Sequence, residues 1–107
     1  MIYKFKSKAA ADLIMLGPQG DPMLRLIGRE PGPKGLLPAA DLPRAIAALQ
    51  QALADAEAAF AQARAEAEAA NAPAPRRVGV GLRQRAWPLI EMMRQCQQAG
   101  EDVVWGV

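Results

Sequence analysis

Ile2-Tyr3-Lys4-Phe5-Lys6, near the start of the chain, decides the fold class. Tyr3 and Phe5 fall on one side and Lys4 and Lys6 on the other. This is the period-two alternation of a strand with one face on a core and one in water. The lysines also discourage pairing with foreign chains. The counterpart lies at the other end, where residues 101–107 read as a closing strand. Val103 and Trp105 share one of its faces and Val104 takes the other. Strands at both ends of a short chain imply that the ends meet in one sheet with helices packed on it. The expected fold is α+β: a small sheet of two or three strands including both termini, packed by about four helices, one of them long and alanine-rich.

Between the two strands the expected elements are mostly helical. Ser7 is placed to cap a helix over residues 8–16, which stops at Gly17-Pro18. Asp21-Pro22 reads as the start of a second helix over 22–28, with Met23, Leu24 and Ile27 near one face and Gly28 as its end. Residues 29–35 form a loop, and Leu36-Leu37 is a candidate short strand. Asp41 is the expected cap of the long helix, with Pro43 tolerated in its first turn. Ile46, Leu49, Leu53, Ala56, Phe60, Ala63, Ala67 and Ala70 recur at spacings of three and four, a heptad seam. The helix would be about 29 residues, or roughly 43 Å. Its first half carries large residues that suit the domain core. Its second half is alanine, suited to close helix–helix approach or to solvent. Residues 71–77 are a proline-stiffened linker, and 78–81 a glycine-rich bend. A last helix covers 82–98, with Leu82, Ala86, Leu89, Ile90 and Met93 as its stripe. Pro88 either kinks it or marks a restart, and Gly100 ends it.

The 107 residues suit one domain, with 62–81 as its alanine-rich helix end and linker. The 51% hydrophobic fraction is inflated by alanine between Ala45 and Ala74, which buries little area. A homodimer would add buried area. The net charge of +2 is too small to imply nucleic acid by itself. It is unevenly spread, with both ends basic and residues 41–75 acidic.

Histidine is absent, which removes the commonest general base and metal ligand. One cysteine, Cys96, excludes an intrachain disulfide, and with scattered acids it cannot build a zinc site. No phosphate loop or dinucleotide fingerprint is present. Neither a catalytic residue nor a metal ligand nor a cofactor is nominated. An enzyme working through Asp, Glu, Lys or Tyr is the least favoured reading. The turn from Gly17 to Pro22 reads as helix stop and start in preference to an anion nest, since Asp21 would repel an anion. Cys96 reads as structural, and Met92 and Met93 as core filler. No apolar run is long enough to cross a bilayer, so a cytoplasmic location without membrane contact is expected.

Two surfaces remain as candidates. Lys4, Lys6, Lys8, Arg76, Arg77, Arg83 and Arg85 could share a face if the terminal strands pair, with Trp87 as a stacking platform for nucleic acid. The plainer reading makes them solubilising charges beside a half-buried Trp. Phe60, Ala63 and Ala67 form a candidate helix-association seam for another protein or a second copy.

The strings IYKFKSKAAADLIML at 2–16, LRQRAWPLIEMMR at 82–94 and VVWGV at 103–107 together resemble a bacterial family catalogued as domain of unknown function eighteen-forty. The resemblance spans the chain and implies a small bacterial cytosolic protein. It brings no activity, cofactor or catalytic residue. The expected function is therefore a protein-interaction or regulatory module without catalysis, with a nucleic-acid-binding accessory protein as the alternative.

Overall fold

A computed structural model describes residues 2–75 and 79–106, with backbone alone at 79 and 80. β1 (Ile2–Ser7) and β2 (Ala10–Leu16) form an antiparallel hairpin, followed by α1 (Gly17–Leu26) and β3 (Gly35–Leu37). A 3-10 turn (Ala39–Asp41) leads into α2 (Leu42–Ala69), then α3 (Gly79–Ala99) and β4 (Val103–Trp105). The sheet order is β2-β1-β4-β3, antiparallel throughout. The two ends of the chain meet as expected, with Lys6 opposite Val104. The fold is α+β, with four strands and three α-helices among the described residues.

The extra strand is the main correction. Residues 8–16 do not form a helix, although their Ala and Leu favour one. A nine-residue helix is marginal without packing, whereas β1 offers a complete ladder. Pairing Tyr3 with Met15 and Phe5 with Leu13 turns two apolar side chains onto the core. Ser7 accordingly caps no helix, and its Oγ accepts the Ala9 N–H at 3.3 Å in the hairpin turn. Gly17-Pro18 begins α1 instead of ending a helix, with Pro18 in the first turn, where a missing N–H costs nothing. The second helix therefore starts at Gly17, ahead of the expected residue 22, and Asp21 lies inside it. Asp41 makes no side-chain cap on α2; its carboxylate accepts from Arg29 Nη2 at 2.7 Å. The bend expected at 78–81 is helical from Gly79 onward, and α3 continues through Pro88. Residues 76–78, part of the expected linker and bend, lie outside the described residues.

All three helices end in the same way. Arg29 N–H bonds to Leu24 O, Ala72 N–H to Ala67 O and Glu101 N–H to Cys96 O, at 2.8–2.9 Å. Each is the six-residue closure of a Schellman motif, with Gly28, Asn71 and Gly100 at positive φ.

The core lies on one side of the sheet. Tyr3, Phe5, Met15, Leu37, Val103 and Trp105 meet Met23 and Leu24 of α1, Leu42, Ile46 and Leu49 of α2, and Leu89, Ile90 and Met93 of α3. Full burial of each large aliphatic or aromatic contributes about 1.5–3 kcal/mol. Tyr3 stacks on Phe5 and Phe5 meets Trp105 edge-on, both at 5.8 Å between centroids. Buried residues in α2 stop at Leu49. Beyond the partly buried Leu53, α2 relies on alanine propensity and on i,i+4 pairs such as Arg64–Glu68 at 3.4 Å. At about 1.5 Å per residue its 28 residues span roughly 42 Å, which accounts for most of the 52 Å long axis.

Two glycines permit the aromatic packing. The Tyr3 ring lies where a Gly20 side chain would be, and the Trp105 ring occupies the same place over Gly35. We expect Gly20→Ala and Gly35→Ala each to cost about 1–3 kcal/mol through displacement of a buried ring. Urea titration checks this, and unchanged midpoints would show that the rings have room to move.

Candidate interaction surface

The alternation that sends Tyr3 and Phe5 inward sends Ile2, Lys4 and Lys6 to the opposite face of the sheet. The ladder sets their neighbours there. Ile2 lies opposite Leu16 and Lys4 opposite Ile14. Lys6 lies opposite Val104, and Val104 opposite Leu36. The helices contribute their buried residues to the other face, leaving this one open. Ile2 is 64% exposed, Ile14 62%, Leu16 53% and Leu36 48%. Together they leave on the order of 400 Å² of surface in water, within the size range of the largest apolar patch on an ordinary monomer, which is often functional. Lys4 pairs with Asp12 at 3.6 Å, with both side chains about half exposed. Such a pair is worth at most about 1 kcal/mol. Lys6 and Lys8 line a shallow depression with Asp12, Glu101 and Asp102 at one end of the sheet. Asp102 Oδ1 also accepts the Ala39 N–H at 2.8 Å, which anchors the turn before α2.

The sequence-predicted residues fall in three places. Lys4 and Lys6 are on the open face, and Lys8 is in the β1–β2 turn. Arg83, Arg85 and Trp87 are exposed on α3, which packs on the other side of the sheet. The fold therefore separates the two described basic groups, while Arg76 and Arg77 lie outside the described residues. Trp87 is half-exposed, with the Arg94 guanidinium 5.5 Å from its ring centroid and Glu91 bonded to Arg94 at 2.9 Å. Phe60, Ala63 and Ala67 lie along the distal half of α2, each partly covered. Cys96 is fully buried on α3.

Sequence reasoning missed Ile2, Ile14, Leu16 and Leu36 as a surface. The signal was the order Asp12-Leu13-Ile14-Met15-Leu16. It conceals a period of two, because both of its faces are apolar. A second missed feature is a small cleft between the end of α1 and the start of α2, where Arg29 and Arg44 flank Asp41. Asp41 neutralises Arg29 there. No group of acids and cysteine suited to a metal ion occurs among the described residues. No described helix is long and apolar enough to cross a membrane.

The Tyr3 hydroxyl donates to Asp21 across the core edge, joining β1 to α1. Burial raises the phenol's pKa above its ordinary 10.0. The hydrogen bond to Asp21 and that carboxylate's charge add to the rise, while a Gly32 backbone hydrogen bond and the Arg25 charge oppose it.

The family model for a Domain of unknown function (DUF1840) matches residues 1–105. No curated protein and no solved structure matches the chain.

Because the folded phenol holds its proton more tightly than the unfolded one, its stabilisation is complete below about pH 10. It is lost as pH rises through the raised folded value. Tyr3→Phe should cost about 1 kcal/mol at neutral pH and remove this component of the alkaline decline. Denaturant midpoints from pH 8 to 11.5 check it, and parallel wild-type and variant curves would contradict it.

Proposed function

We propose that this chain, which belongs to the Domain of unknown function (DUF1840) family, is a non-catalytic protein-interaction module of the bacterial cytosol. It docks an aliphatic segment of a partner protein on the open face of its sheet. The observation that carries this reading is the row of Ile2, Ile14 and Leu16, each more than half exposed on one face. Solvated aliphatics in such a cluster are costly to keep unless something covers them. Lys4, Lys6 and Lys8 on and beside that face are balanced by Asp12, Glu101 and Asp102, so the apolar row and not net charge selects the partner. The non-catalytic part rests on the lack of histidine and on acids and bases engaged in partly exposed ion pairs.

A second reading is binding of single-stranded nucleic acid on α3, favoured by half-exposed Trp87 beside Arg83 and Arg94. Exposed aromatic rings stack on bases, and arginines meet phosphates. The separation of Lys4 and Lys6 from α3 favours the protein partner, because the two basic groups cannot grip one strand along a shared groove.

The test compares tagged wild type with an Ile2→Ser/Lys6→Glu double variant in lysate of the source cells, with and without nuclease. One near-stoichiometric partner should survive nuclease and fall at least about tenfold with the variant, equivalent to about 1.4 kcal/mol. Equal recovery by both proteins would remove the sheet face as the site. Material lost on nuclease treatment, with Trp87 fluorescence quenched by oligonucleotide at low salt, would favour the second reading.

A further inference from the structure

The sheet has two edges, and they are built differently. β3, at one edge, is three residues long. It is bounded by Pro33-Lys34 and Pro38, and the Trp105 ring lies over Gly35. Short length, proline and lysine are devices that blunt an edge. β2, at the other edge, is seven residues long and carries none of them. Its single charge, Asp12, is engaged by Lys4. Among the described residues no further backbone hydrogen bond reaches its outward edge.

We infer that this edge pairs antiparallel with β2 of a second copy, about a twofold axis at Ile14, giving a continuous eight-stranded sheet. The side chains select the occupant. A strand added here meets Leu13 and Met15 on the core side and Ile14 and Leu16 on the outer side, so one apolar on both faces buries the most area. β2 is itself such a strand. Centring the twofold at Ile14 sets Ile14 beside its own copy and Leu13 beside Met15 of the partner copy. Leu13 is only partly buried within one copy, and the added Met15 completes its cover. Asp12 of each copy then faces Leu16 of the other. The two Asp12 residues stand four positions apart along the ladder, about 14 Å, so their repulsion is screened. An arbitrary extended peptide would have to reproduce this pattern. The contact is isologous and closed, so it ends at two copies.

The inference does not rest on the docking reading, since edge pairing leaves Ile2, Lys4 and Lys6 uncovered. Pairing along one seven-residue edge buries less than a standard interface, and area alone does not set affinity, so the test spans three decades of concentration. Sedimentation of the full chain from about 1 μM to 1 mM should show the mass rising from 11.4 kDa to twice that value. Ile14→Lys sets two lysines side by side at the axis and should weaken association at least about tenfold. Ile14→Val should preserve it, and so should Ala63→Glu/Ala67→Glu on α2. Ile14 is mostly exposed, so the lysine variant should stay folded with the wild-type circular dichroism, its melting temperature lowered only slightly by the facing Lys4. Amide exchange of wild type needs no variant: protection across residues 12–16 should rise with concentration. A monomer at 1 mM would overturn the inference. A dimer indifferent to Ile14→Lys, or one abolished by the α2 double variant alone, would overturn it equally.

Discussion

The edge-on contact of Phe5 with Trp105 is the constraint on which the structure depends, because it joins the first strand to the last. These residues lie a hundred positions apart, so closing the chain between them carries a large entropic cost. Backbone pairing at Lys6 and Val104 offsets part of it. The aromatic group offsets much of the rest, since each ring pair contributes about 0.5–1.5 kcal/mol beyond its buried area. Tyr3 extends the stack toward α1, and Trp105 Nε1 donates to Gly32 O at 3.3 Å, holding the loop before β3. Gly20 and Gly35 follow from the same group, since the rings occupy the space of their missing side chains.

With the rings fixed on one side, the layers are decided. Every helix that has apolar residues to bury must place them on the ring side, and the other side of the sheet is left to solvent. An antiparallel sheet tolerates this arrangement when its outer residues are polar. Here Lys4, Lys6 and Asp12 meet that condition, but Ile2, Ile14, Leu16 and Leu36 do not. This departure from ordinary patterning is the feature on which the proposed docking face rests, and, Ile2 apart, it lies on the strands that flank the two that carry the rings. Backed by a packed core, the proposed docking face would need little reordering on binding.

α2 divides at Leu53 into two parts with different physics. The proximal part is held by burial of Leu42, Ala45, Ile46 and Leu49. The distal part is held by alanine propensity, i,i+4 pairs and the Schellman closure at Asn71, each worth tenths of a kcal/mol to about one. Its partly covered Phe60, Ala63 and Ala67 lie far from the sheet's open face. The fold therefore keeps the alanine seam and the aliphatic surface apart.

The sequence alone determined the two terminal strands, the long helix, and the stops at Gly28 and Gly100; it put the helix's change of character beyond Phe60, whereas burial ends at Leu49 and Leu53. In each case the signal is local: strict alternation in IYKFK, a sustained seam of three and four, a glycine at positive φ. Tyr3, Phe5, Val103 and Trp105, with Ile46 and Leu49 of α2 and Ala86, Leu89, Ile90 and Met93 of α3, were legible as core for the same reason. Residues 10–16 were not, because Ala and Leu fit a helix by propensity, and only the ladder offered by β1 makes a strand the better state. That one tertiary decision moved the start of α1 to Gly17. It set Ile14 and Leu16 beside Lys4 and Ile2, and it left a seven-residue edge open. It also separated Lys4 and Lys6 from Arg83, Arg85 and Trp87, which sequence distance alone could not do. Which residues share a face depends on pairing register across the chain, and register is a property of the assembled sheet.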